Sequence, residues 1–284
     1  MMFEKFSRSW ELMGQCWDVL REDKALAIFP VFSALAILVI AGSFAMPVWV
    51  LTHVTNAGLA PGSTTRHPLY FLMFFFYLVS YGAVTFFNTA LVAVALKRLQ
   101  HEPASVGYGL KIALSKWPVI LLYAIIAASV GTVLRAIEER VGIVGRLITG
   151  LIGLAWTVAT AMVVPILAAE DTGPFGAIER SVALLRDTWG ENLIGNGGIG
   201  LATFFAQFFA FGVAFVLFSM MAQSNSLPFE FLAASVGIGL IALVAIVSAT
   251  LQTIYSAALY RYAQGEGHWD GFDKDLLENA FSVR

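Results

Sequence analysis

FLAASVGIGLIALVAIVSATLQTIYSAALY, residues 231–260, runs its whole length without one Asp, Glu, Lys, Arg or His. A helix of about 20 apolar residues covers the roughly 30 Å of a bilayer's hydrocarbon, so this stretch is long enough to cross. Working outward from it, residues 25–51, 69–96, 117–134, 147–169 and 193–222 share the property, and every charge lies outside these stretches. Only 13% of the 284 residues are charged, and the mean hydropathy is +0.78; a soluble domain carries roughly 25% charge. The sequence predicts an all-α membrane protein, a single membrane domain over 1–284 with six transmembrane helices.

Compartment follows from the same residues. The first apolar run continues to Leu51, too long for the h-region of a signal peptide. The single cysteine, Cys16, cannot close an intramolecular disulfide. A net charge of −2 gives no ground for binding nucleic acid. Thirteen Lys and Arg fall on the side that holds both termini and four on the other. The positive-inside bias therefore puts both termini in the cytoplasm.

The cytoplasmic segments carry a pattern of their own. Phe3, Phe6, Trp10, Met13, Trp17 and Leu20 recur at three- and four-residue steps, one apolar stripe on an amphipathic helix. Such rings suit the headgroup level of a membrane, although packing on the protein's own bundle or on a partner helix would use the same stripe. Arg8-Ser9-Trp10 followed by Trp17 is echoed by Arg180-Ser181-Val182 followed by Trp189, and more weakly by Val106, Leu110, Ala113 and Trp117. Each copy precedes two apolar stretches. The chain thus reads as three helix-plus-hairpin units, about 1–96, 97–169 and 170–260, with a tail over 261–284.

Chemistry has few places to sit. Ionisable groups inside spans mark proton relays and ion pathways, and these spans hold none. Gly195-x-Gly197-x-x-Gly200 spells a dinucleotide-binding fingerprint, but it opens an apolar span and has Met220 where an acidic residue belongs. Close helix packing explains those glycines better, and also the four-spaced Gly145, Thr149, Gly153 and Thr157. Uncharged polar residues form stripes: Tyr81, Thr85 and Asn88; Asn196, Thr203 and Gln207 with Gly200; Ser248, Gln252 and Tyr255. An unsatisfied amide in hydrocarbon is costly, so these faces are expected to turn inward. They would serve interhelical hydrogen bonding or, alternatively, a polar path along spans two, five and six.

Glu170-Asp171-Thr172-Gly173-Pro174 reads as a helix start, with Glu170 or Asp171 available to Arg180. His268 in the acidic tail lacks the companions of a metal site. No cofactor, metal or catalytic residue is expected, and the partners expected are membrane lipids, with a protein partner or a second copy of the chain.

Five stretches carry a resemblance. They are Asp23-Lys24 to Phe29-Pro30, the run Thr85 to Leu91, the run Leu134 to Arg140, Gly173-Pro174 through Arg180-Ser181 to Trp189-Gly190, and Tyr260-Arg261-Tyr262-Ala263 with Gly271-Phe272-Asp273. On these residues the chain resembles a bacterial and archaeal family of six-span membrane proteins of unknown function. More distantly, the helix-plus-hairpin units look like the membrane domain fused to some bacterial glycerophosphodiester phosphodiesterases. The resemblance implies a fold and a membrane address, and carries no activity or site.

Overall fold

Prolines mark where the helices begin. A proline lacks the N–H that a first turn leaves unpaired anyway, and its fixed φ suits that position. Pro30, Pro68, Pro118, Pro165, Pro174 and Pro228 each stand within the first three residues of a helix. The computed structural model describes residues 14, 16–50, 66–100, 102–187, 189–222 and 227–264. Within these, side chains are not described at 66–70, 143, 187, 189–202, 221–222, 227–230 and 262. Among the described residues the chain is wholly helical apart from turns. After a helical stretch over 16–22 and a 3-10 turn at Lys24–Ala27 come α1 (Ile28–Trp49), α2 (Arg66–Arg98) and α3 (Val106–Ser115). Then follow α4 (Trp117–Glu138), α5 (Ile143–Ala159), α6 (Val163–Ala169), α7 (Pro174–Asp187), α8 (Trp189–Ala222) and α9 (Leu227–Ala263).

Among the described residues six segments are long and apolar enough to cross a membrane: Lys24–Trp49, Phe71–Arg98, Trp117–Glu138, Val144–Ala169, Thr203–Met220 and Phe231–Arg261. They match the six stretches free of charge. One differs in kind. Span four, expected as a single helix, breaks into α5 and α6 at Thr160–Met162. Pro165 weakens the run there: it has no N–H for the Ala161 carbonyl, and its ring crowds that carbonyl.

The chain forms two units. One comprises Val31–Val94 and Ala104–Leu185. In it Ser105 caps α3, its hydroxyl accepting the Tyr108 N–H at 3.2 Å. Here α3 packs on α4, and α4 packs on α5. A Cβ built on Gly153 of α5 would lie 3.9 Å from Leu134 of α4, and Thr149 is buried, while the Thr157 side of the stripe is exposed. The buried residues of this unit include Thr89 to Val94, Tyr123, Ala124, Met162, Val163, Ile166 and Leu167.

The other unit comprises Met1–Pro30, Ala95–Pro103 and Arg186–Arg284. Its main pairing is the hairpin of α8 and α9, where a Cβ on Gly237 would come within 3.4 Å of the Ala214 Cβ. The 3-10 turn packs on α9. Asp23 starts that turn by accepting the Ala25 N–H at 3.1 Å, and its other carboxylate oxygen meets the Arg98 guanidinium at 2.8 Å. Leu26, Phe29, Ile254, Tyr255 and Ala257 to Tyr260 are buried here. The GxGxxG glycines lie inside the helical run of α8, so no phosphate-cradling loop forms there.

Candidate functional site

A polar centre forms in the first unit, at the break in span four. Tyr123 of α4 is among the largest fully buried side chains, and its hydroxyl lies 3.3 Å from that of Tyr81 on α2. The rings are tilted, with centroids 5.8 Å apart. Small neighbours permit the approach: a Cβ on Gly82 would lie 3.7 Å from that of Ala124. The Thr160 side chain is a neighbour of Tyr123, and its hydroxyl donates to the Trp156 carbonyl at 2.8 Å. Three hydroxyls from α2, α4 and the broken span therefore gather in an apolar setting, where unpaired polar groups are expensive.

The break itself is sealed from outside the span. Ala161 donates to the Val158 carbonyl and Val163 to that of Thr160, both at 3.1 Å, tightening the turn. The Met162 N–H between them is left over. It donates to Ser181 Oγ of α7 at 3.2 Å, and Ser181 is fully buried. The buried face of α7 is Ala177, Ser181, Leu184 and Leu185, with Phe175 and Val182 outward.

A charged rim ties α7 to the rest of the unit. Lys116, at the turn between α3 and α4, donates to the Glu170 carbonyl at 2.9 Å and pairs with the Asp171 carboxylate. The Glu170 carbonyl lies at the end of α6, where a cation complements the helix dipole. Arg180 of α7 reaches back to Glu170 at 3.7 Å. The Lys116 ammonium, by hydrogen bond and charge, holds the Asp171 carboxyl below its usual range. At the other end of α4, Arg135 donates to the Tyr77 hydroxyl at 3.0 Å and stands 3.9 Å from Glu139.

The residues singled out by sequence fall unevenly. In the first unit Thr85 is buried, Asn88 half-buried, and Tyr81 38% exposed. In the second, Ser248 and Tyr255 are buried, Thr203 and Gln207 half-buried, and Gln252 is exposed. The buried face of α9 at that level is centred on Leu251, Ile254 and Ala258, and Gln252 lies a hundred degrees round from Leu251. The Asn196 side chain lies outside the described residues, as do Phe3, Phe6, Trp10 and the Trp189 side chain. Trp17 and Trp117 are exposed. Cys16 is buried, which pushes its thiol up to about 12 and keeps it protonated.

Sequence reasoning missed Tyr123, Thr160 as a centre, and the role of Ser181. Pro165 was the available signal for the break; nothing local marks Tyr123. Chemically, the cluster can exchange hydrogen bonds with a polar group and can alter the helix path, and it carries no charge.

No curated protein and no solved structure matches the chain. A family model matches residues 68–271, most of the chain and five of its six spans, under the description Family of unknown function (DUF6159). By that match, this six-span helical chain belongs to the DUF6159 family of unknown function.

Proposed function

We propose that this chain is a non-enzymatic integral protein of the bacterial inner membrane, with both termini cytoplasmic, that organises membrane lipid or a membrane-protein complex. One observation carries the reading. The outer face of α8 presents Phe204, Phe205, Phe208, Phe209 and Phe215, each more than half exposed. An open apolar groove of about 760 Å³ runs over Gly212 between Phe205, Phe208, Phe209, Val213 and Val216. A large apolar face suits acyl chains or another membrane helix. The exposed indoles of Trp17 and Trp117 suit the headgroup level, and support reading the short helices as cytoplasmic and interfacial. In the same proposal α3 and α7, each followed by two spans, belong to repeated helix-plus-hairpin units of the kind fused to some glycerophosphodiester phosphodiesterases.

Extraction in a lipid-preserving system followed by native mass spectrometry tests it. Retained lipid or a stoichiometric second protein is expected; a bare oligomer with nothing bound favours a channel. The reading fails if purified protein in liposomes moves a solute or turns over a lipid at a useful rate.

A second reading is a passive channel or lipid and small-solute transporter with a polar path along spans two, five and six. The half-buried amide of Gln207 on span five favours it. Replacing Asn88, Gln207 and Gln252 with Leu would then abolish flux and leave the fold intact; unchanged flux removes it.

A further inference from the structure

The path of span four depends on a residue outside the span. In an unbroken helix the Met162 N–H would donate to the Val158 carbonyl. Here Val158 accepts from Ala161 instead, and Met162 donates to Ser181 Oγ. Pro165 has no N–H to offer the Ala161 carbonyl in either arrangement. A proline-kinked but continuous helix is tolerated in membranes because neighbours re-satisfy the freed groups. Two arrangements of the same backbone therefore differ chiefly in which acceptor takes one buried N–H. The choice lies with α7, which brings Ser181 to the break with its buried face and is held at its start by the ties of Lys116 and Arg180 to Glu170 and Asp171.

We propose that span four is a hinge and α7 its latch. With α7 docked, Ser181 holds Met162 and the span stays broken, with Thr160 beside Tyr123. With α7 lifted, Met162 returns its N–H to Val158, the span becomes a kinked continuous helix, and Thr160 rotates away from the tyrosine pair. A load on α7 is thus delivered to the polar centre inside the membrane. This device goes beyond the organising role and does not depend on it.

The test is a spin-label distance measurement in lipid nanodiscs, with Cys16→Ala removing the native thiol and labels at Val144→Cys and Phe175→Cys, both well exposed. One distance is expected in the parent protein and in Ser181→Thr, which keeps the hydroxyl. Ser181→Ala is expected to add a second, shifted distance. It should also speed amide exchange at residues 160–163 by about fivefold, the loss of one hydrogen bond of roughly 1 kcal/mol. Ser129→Ala is the control, since that hydroxyl bonds only within its own helix, to Ile125 at 2.7 Å. An unchanged single distance in folded Ser181→Ala overturns the hinge, as does an equal change in Ser129→Ala. If Ser181→Ala does not fold, the rim variant Lys116→Met with Arg180→Met decides by the same measurement, and an unshifted distance there overturns it.

Discussion

Spans four and six are built of the same apolar residues and end differently. Residues Leu227–Ala263 form one unbroken helix, whereas Val144–Ala169 breaks after sixteen residues, at Ala159. Hydroxyls are not the cause. Thr250 and Thr253 bond the carbonyls of Ile246 and Ala249 in span six, as Thr160 bonds Trp156 in span four. What separates the two is a proline within the run and a serine on another helix placed to receive the orphaned N–H. The path of a membrane helix is thus settled by what its neighbours offer its backbone, as much as by its own apolarity.

The harshest way to break that comparison is to give span six a proline without a matching serine. Ala245→Pro, at an exposed point of α9, is expected to cost about 3 kcal/mol or more, read as a lowered midpoint of denaturant unfolding in detergent. Pro165→Ala should change that midpoint far less. Next comes the close approach within the α8–α9 hairpin. Gly237→Leu should cost about 1–3 kcal/mol by forcing the helices apart, while Gly237→Ala, whose Cβ would stand 3.4 Å from Ala214, should stay near wild type in the same titration.

A milder change sharpens the polar side of the contrast. Tyr123→Phe removes one hydroxyl from the break and should cost about 0.6–1.7 kcal/mol; Tyr81→Phe combined with it should add less than its separate effect. The smallest effect is at the rim. The Asp171 carboxyl is held below its usual range in the folded chain, so its pairing with Lys116 contributes above that range. The contribution is lost as pH falls through the depressed value. Asp171→Asn should flatten this acid limb in thermal melts taken across pH and leave the melting temperature near neutrality little changed, since the Asp171 side chain is fully exposed.

The spans were legible because exclusion of charge over twenty or more residues is a long-range signal that needs no partner. The break was not, because hydropathy carries no register: the run 147–169 looks uniform, and only Pro165 speaks against it. Arg180-Ser181 was visible as half of a repeated motif, yet its chemistry became readable only when Ser181 met Met162, nineteen positions away. Tyr123 carries no periodic signature, since its role needs Tyr81 across another helix. The polar stripes indicated which residues are costly in hydrocarbon; they did not say which neighbour each would find, and so Gln252 turned outward while Tyr255 did not.

The seven-residue α6 has a consequence for how the protein is made. At about 1.5 Å per residue it covers roughly 10 Å, a third of the hydrocarbon, too little to enter a bilayer alone. If span four crosses a bilayer, α6 goes in joined to α5 as one segment. The bond from Met162 to Ser181, nineteen positions further on, can form only once α7 has followed the span out of the ribosome.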